Sequence, residues 1–148
     1  MKLLKKIKPL VIGVCGRSCS GKSEVTRYLE KKYQYQVVRI PSDRFFKVFN
    51  SKELDETVVW ESPSSIRWDR LIYSVKKLKD KQPTHIPSKG WTEVFDQLIE
   101  PKEVVIVEGH LVFIHKELVD LCDKRIWIDV SDLNILIGEH FVMEVSKT

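Results

Sequence analysis

Gly16-Arg17-Ser18-Cys19-Ser20-Gly21-Lys22-Ser23 is the stretch that decides the fold of this chain. It fits the pattern G-x-x-x-x-G-K-[ST], and its surroundings give the string its meaning. Leu10-Val11-Ile12-Gly13-Val14-Cys15 before it reads as a buried strand, and Gly21 to Tyr33 after it as a helix. Strand, glycine loop and helix in that order make a cradle for phosphate. Backbone N–H groups turn inward around the oxygens, with the positive end of the helix dipole behind them. In such a cradle Lys22 reaches the terminal phosphates of a nucleotide and the Ser23 hydroxyl holds Mg²⁺. Gly16 to Ser23, with Glu24 in the first helical turn, form the candidate nucleotide-binding set.

Working outward, Gln36-Val37-Val38-Arg39-Ile40 reads as a second strand stopped by Pro41 and Ser42. Val104-Val105-Ile106-Val107 is wholly apolar, as a parallel strand buried on both faces requires. Arg125 to Val130 reads as a further strand. Between them, Trp68 to Lys79 carries Leu71, Ile72, Val75 and Leu78 at helical spacing, and Ile114 to Leu121 reads as a short helix. Gln82 to Gly90, with Pro83 and Pro87, is a loop or distorted hairpin, and a helix-like segment runs from Asp132. The alternation predicts an α/β fold, a doubly wound parallel sheet with helices on both faces.

The 148 residues suit a single domain, 1–148, large enough to bury a core. Charged residues at 31% and hydrophobic residues at 43% give the balance of a soluble globular protein. A net charge of +4 suits a polyanionic small molecule and does not call for nucleic acid; the lysine clusters at the N-terminus and at Lys76 to Lys81 read as solvated faces. No apolar run is long enough to span a bilayer. Cys15, Cys19 and Cys122 are odd in number and lack metal-ligand spacing, so reduced thiols in a cytoplasmic setting are the expectation. Oligomeric state is not legible in the sequence.

Parallel strands bring their carboxyl ends to one edge, and there ligands bind. The phosphate loop, Asp43 after the second strand and Glu108 after the third apolar strand therefore converge. Phosphoryl transfer needs such a set: a phosphate cradle, an oxygen-ligated metal, and a carboxylate that orients or deprotonates the attacking hydroxyl. Asp43 is the candidate base, with Lys22 as the other catalytic residue, and Glu108 is positioned as a direct or water-mediated Mg²⁺ ligand.

Four segments then carry a resemblance: the loop Gly16 to Ser23, Asp43-Arg44-Phe45-Phe46-Lys47, Trp60-Glu61-Ser62-Pro63, and Val104 through Glu108-Gly109-His110 to Phe113. In this order the chain resembles the small phosphate-loop nucleoside kinases, the uridine kinase and nicotinamide riboside kinase relatives. The aromatic-plus-acid pair before Pro63 resembles the nicotinamide riboside branch more closely. The resemblance implies ATP as phosphate donor, Mg²⁺, and a small-molecule nucleoside whose 5′-hydroxyl meets Asp43. It further implies that Glu61 binds ribose hydroxyls, that Trp60 and Phe46 flank the base, and that Lys47 belongs to the substrate side. Two departures accompany it. Family members carry aspartate at the position of Glu61, and an arginine-rich lid, a fifth strand and a closing helix after the fourth strand. Ser131 to His140 holds no arginine. The expectation is thus a lidless short form with an exposed fourth strand and slowed catalysis, or alternatively a nucleotide-binding regulatory relative.

Overall fold

The computed structural model describes residues 8–17, 20–47, 62–129 and 142–147, with Asp129 and 142–147 described by backbone alone. The elements are β1 (Leu10–Gly16), α1 (Lys22–Lys32), β2 (Val37–Pro41), α2 (Trp68–Lys79), β3 (Thr84–Ile86), β4 (Gln97–Ile99), β5 (Val104–Glu108), α3 (Lys116–Leu121), β6 (Lys124–Asp129) and β7 (Val142–Lys147). Single 3-10 turns occupy Ser42–Phe45 and Pro63–Ser65.

The main sheet runs β2-β5-β1-β6-β7. Its first four strands are mutually parallel, so successive strands are joined through helices on the faces, as the alternating pattern predicts. The register places Val14 of β1 and Pro41 of β2 on either side of Glu108.

Period-two alternation sorts each strand between two cores. Val38, Ile40, Val105 and Val107 face one side with Leu71, Ile72, Val75 and Leu78 of α2 and Leu118 of α3. Val37, Ile106, Val14 and Ile128 face the other, with Val25 and Leu29 of α1. Helices thus cover both faces.

Two readings are corrected by the structure. Residues 142–147, expected in a helix-like segment, form β7, antiparallel to β6 from Asp129↔Val142 to Lys124↔Lys147. β-branched Val142 and Val145 suit a strand, and β6 offers an unpaired row of backbone groups for it to satisfy. The fourth parallel strand is therefore not an edge, and the sheet is not wholly parallel. Residues 130–141, including Ser131 to Glu139 of the expected lid region, lie outside the described residues.

The hairpin foreseen over Gln82 to Gly90 is wider than read: β3 pairs with β4 in antiparallel register, Thr84↔Ile99 to Ile86↔Gln97. Among the described residues no helix is long and apolar enough to cross a membrane.

Candidate active site

The carboxyl ends of β1, β2 and β5 bring Lys22, Ser23, Asp43 and Glu108 to one edge. Gly21 adopts a left-handed conformation, φ 89°, that L-residues with a Cβ avoid, and it turns the chain from the loop into α1. The N-cap of α1 is Gly21, which has no side chain to cap the leading N–H groups of the helix. The loop closes on itself through the Arg17 carbonyl, which accepts from the Ser20 N–H at 3.1 Å and from Lys22 Nζ at 3.2 Å. Lys22 is a largely buried cation tied to the loop by that bond, while Arg17 and Glu24 are exposed. Ser18 and Cys19 lie outside the described residues.

Ser23 in the first turn of α1 donates its hydroxyl to Glu108 Oε1 at 3.1 Å. Phosphate loop and carboxylate strand are therefore joined directly, across 85 residues of sequence. Glu108 is 3% exposed. Burial pushes its carboxyl above the usual range, against the pull of the Arg39 guanidinium and the Ser23 hydroxyl; the Asp43 charge pushes it further up and Lys22 pulls it down. The same Oε1 accepts from Arg39 Nη1 at 2.9 Å. A serine hydroxyl and an anionic carboxylate side by side form an oxygen donor set that fits Mg²⁺, which takes one or two protein oxygens and completes its shell with phosphate and water.

Asp43 sits exposed in the 3-10 turn immediately beyond β2. Two close approaches hold that turn. Gly109 lies so near Ser42 that a Cβ there would come within 1.7 Å of Ser42 Oγ, and Gly90 packs against the Asp43 carbonyl. Arg44 Nη1 bonds Gln97 Oε1 of β4, and Phe45 meets Phe95 edge-on at 6.1 Å. The β3–β4 arm thus folds over the Asp43 turn.

Phe46 is buried and stacks on Trp91, centroids 5.2 Å apart and planes within 10°. Lys47 is half-buried, its backbone N–H bonded to the Ser65 carbonyl at 2.8 Å. Trp60 and Glu61, expected at the base and ribose, lie outside the described residues. His110 follows the site strand, its ring 6.4 Å from Phe46.

Two residues escaped the sequence reading. Arg39 is 8% exposed although it interrupts an otherwise apolar strand. Trp91, half-exposed with φ 55°, follows Gly90 onto the Asp43 turn. The inward parity of Arg39, two residues from Val37, was the one signal in the sequence for its burial.

Comparison with known proteins gives a consistent answer. The family model described as "Phosphoribulokinase / Uridine kinase family" matches residues 11–138. The uridine kinase of Oceanobacillus iheyensis is 33% identical over 141 residues, covering 90% of this chain and 67% of that protein. The uridine kinase of Chlamydia pneumoniae is 31% identical over 147 residues, covering 93% and 65%. The chain therefore spans about two thirds of the length of these relatives. Among solved structures, a "possible uridine kinase" from Bacillus stearothermophilus superposes with TM-score 0.63 at 19% identity, covering 93% of this chain and 82% of that one. A Silicibacter sp. TM1040 protein, provisionally described as a fructose transport system kinase, gives 0.69 at 18%, covering 90% and 73%. At such identities the structures bear on the fold alone, and they agree with the α/β phosphate-loop kinase architecture.

Proposed function

This chain belongs to the Phosphoribulokinase / Uridine kinase family, and from that premise we propose that it is a nucleoside kinase, moving the terminal phosphoryl group of ATP to the 5′-hydroxyl of a ribonucleoside of the uridine or nicotinamide riboside type. The observation that carries the proposal is the Ser23–Glu108 bond, which ties the phosphate loop to a buried carboxylate beside the turn bearing Asp43.

In this reading residues 1–148 act as one unit. The N–H groups of Gly16 to Ser23 and the start of α1 cradle the triphosphate. Lys22 exchanges its bond to the Arg17 carbonyl for the terminal phosphate oxygens. Ser23 and Glu108 would hold Mg²⁺, which would offset the negative charge of the phosphates. Asp43, exposed at the strand edge, accepts the proton of the attacking hydroxyl, so its position rather than its burial defines its role. Trp91, an exposed ring stacked on Phe46, offers an aromatic face beside that turn for a planar base, and a cationic base gains most from it. Trp60 and Glu61 complete the base and ribose contacts.

The test is a labelled-ATP assay over uridine, cytidine, nicotinamide riboside and purine nucleosides, with Asp43→Asn alongside. Phosphorylation of at least one member, lost in Asp43→Asn without a fall in melting temperature, supports the proposal. Nucleotide binding with no transfer to any member would overturn it in favour of a binding protein.

A further inference from the structure

Val37 and Arg39 lie on the face of β2 that meets α1, and Ile106 and Glu108 lie on the same face of β5. On this face the Arg39 guanidinium lies between two carboxylates. Its Nη1 is 2.9 Å from Glu108 Oε1, and its Nε is 3.8 Å from Glu30 Oε1. Glu30 also accepts the Arg39 backbone N–H at 2.9 Å through Oε2, capping a backbone donor on the edge strand of the sheet. Glu30 and Ser23 stand seven residues apart on α1, two turns, and so share a face. The helix grips both ends of one chain of contacts: Glu30 to Arg39, Arg39 to Glu108, Glu108 to Ser23.

A buried ion pair is a poor source of stability, since desolvation offsets most of the attraction and an apolar side chain serves as well. Val37, two residues earlier, fills the same face without a charge. What the arginine adds is control of Glu108. Both bonds to Glu108 meet on one oxygen, so the guanidinium fixes the carboxylate where it receives the Ser23 proton. A hydroxyl that donates its proton in this direction keeps its lone pairs for a cation.

We propose that Arg39 is a positioning residue for the metal site, locking Glu108 against Ser23 through the Glu30–Arg39–Glu108 chain so that the Ser23 hydroxyl is oriented to receive Mg²⁺ before nucleotide arrives. The inference rests on the kinase reading above. Its consequence is selective: loss of Arg39 loosens the metal site and leaves the phosphate cradle and the nucleoside side intact. Outer partners of metal ligands behave in this way, and their loss costs about 10- to 100-fold in metal affinity or activity.

The experiment measures ATP affinity by calorimetry over a Mg²⁺ series and in EDTA, for the wild-type chain, Arg39→Met, Arg39→Lys and Glu30→Gln. Arg39→Met is expected to raise the Mg²⁺ concentration for half-maximal enhancement by about tenfold, with ATP affinity in EDTA unchanged. Arg39→Lys, which keeps the charge but lacks the fork that spans two carboxylates, recovers only part of the loss. Glu30→Gln leaves the inner pair in place and shifts the requirement in the same direction by less; being half-exposed, it also carries the test if Arg39→Met does not fold.

Folded variants whose Mg²⁺ requirement equals that of the wild type would overturn the inference. So would an equal loss of ATP affinity with and without Mg²⁺, which marks a structural role only. A wild-type chain whose ATP affinity ignores Mg²⁺ would instead sink the kinase reading, and the inference with it.

Discussion

Gly109→Ala places a methyl group 1.7 Å from Ser42 Oγ and 2.9 Å from Ser42 Cβ, with Val112 Cγ1 at an ordinary 3.4 Å. Relief requires the end of β5 and the turn after β2 to part by about 1.7 Å along the Oγ direction, to reach the 3.4 Å of a normal contact. Ser42 is 1% exposed, so its side chain cannot turn out into solvent, and its Cβ stays close whichever way the hydroxyl points. Overpacking of this kind costs about 1–3 kcal/mol, and the upper half of that range applies because Ser42 Cβ is crowded as well as its Oγ. For a chain of this length, that lowers the melting temperature by about 5–10 °C.

The shift acts directly on the residue after Ser42, the candidate base. Misplacement by about 1 Å costs on the order of 100-fold in turnover, so kcat should fall far more than stability alone explains. The assay pairs differential scanning fluorimetry with steady-state phosphorylation at a temperature where the variant is folded. Adding Ser42→Gly removes both close atoms, and the double variant should recover most of the lost melting temperature. A single variant that melts with the wild type and turns over at the wild-type rate would refute the reasoning. So would a double variant no better than the single.

Lys22→Ala should weaken ATP binding severely while sparing the fold, read by calorimetry, because it removes the cation tied to the loop. Glu108→Gln, lacking the anionic acceptor for Ser23 and Arg39, should raise the Mg²⁺ requirement with little effect on nucleoside KM. Cys122, whose thiol burial pushes up to about 11, should resist iodoacetamide at pH 8 in the native protein and react fully in urea. Because the folded thiol ionises later than the unfolded one, stability falls as pH rises from about 9 towards 11. Cys122→Ala should flatten that slope in denaturant titrations; an unchanged slope would count against the burial argument.

The residues that announced themselves in the sequence did so through local pattern. The glycine loop, the apolar Val104–Val107 strand and the carboxylates ending two strands are all set by spacing along a few residues, and parallel topology carried them to one edge. Arg39 gave almost no signal, because its partners lie on α1 before it and on β5 much later, and a lone arginine in a strand ordinarily faces solvent. Trp91 stands just past the Gln82 to Gly90 segment, whose glycine and prolines read as loop, although its ring finds Phe46 across the fold. β7 was read as helix for a related reason: Val142 and Val145 suit a strand, but it is the pairing with β6 that settles its state.

The central claim is transfer to a nucleoside 5′-hydroxyl, and product analysis tests it most directly. Incubation with ATP, Mg²⁺ and each nucleoside, followed by mass spectrometry and phosphorus NMR of the product, should give a nucleoside 5′-monophosphate from at least one substrate. The matching 5′-deoxynucleoside should give none, and Asp43→Asn should give none with either. ATP consumed to ADP and free phosphate with no phosphorylated nucleoside, or a phosphate appearing on a 2′- or 3′-oxygen, would contradict the account.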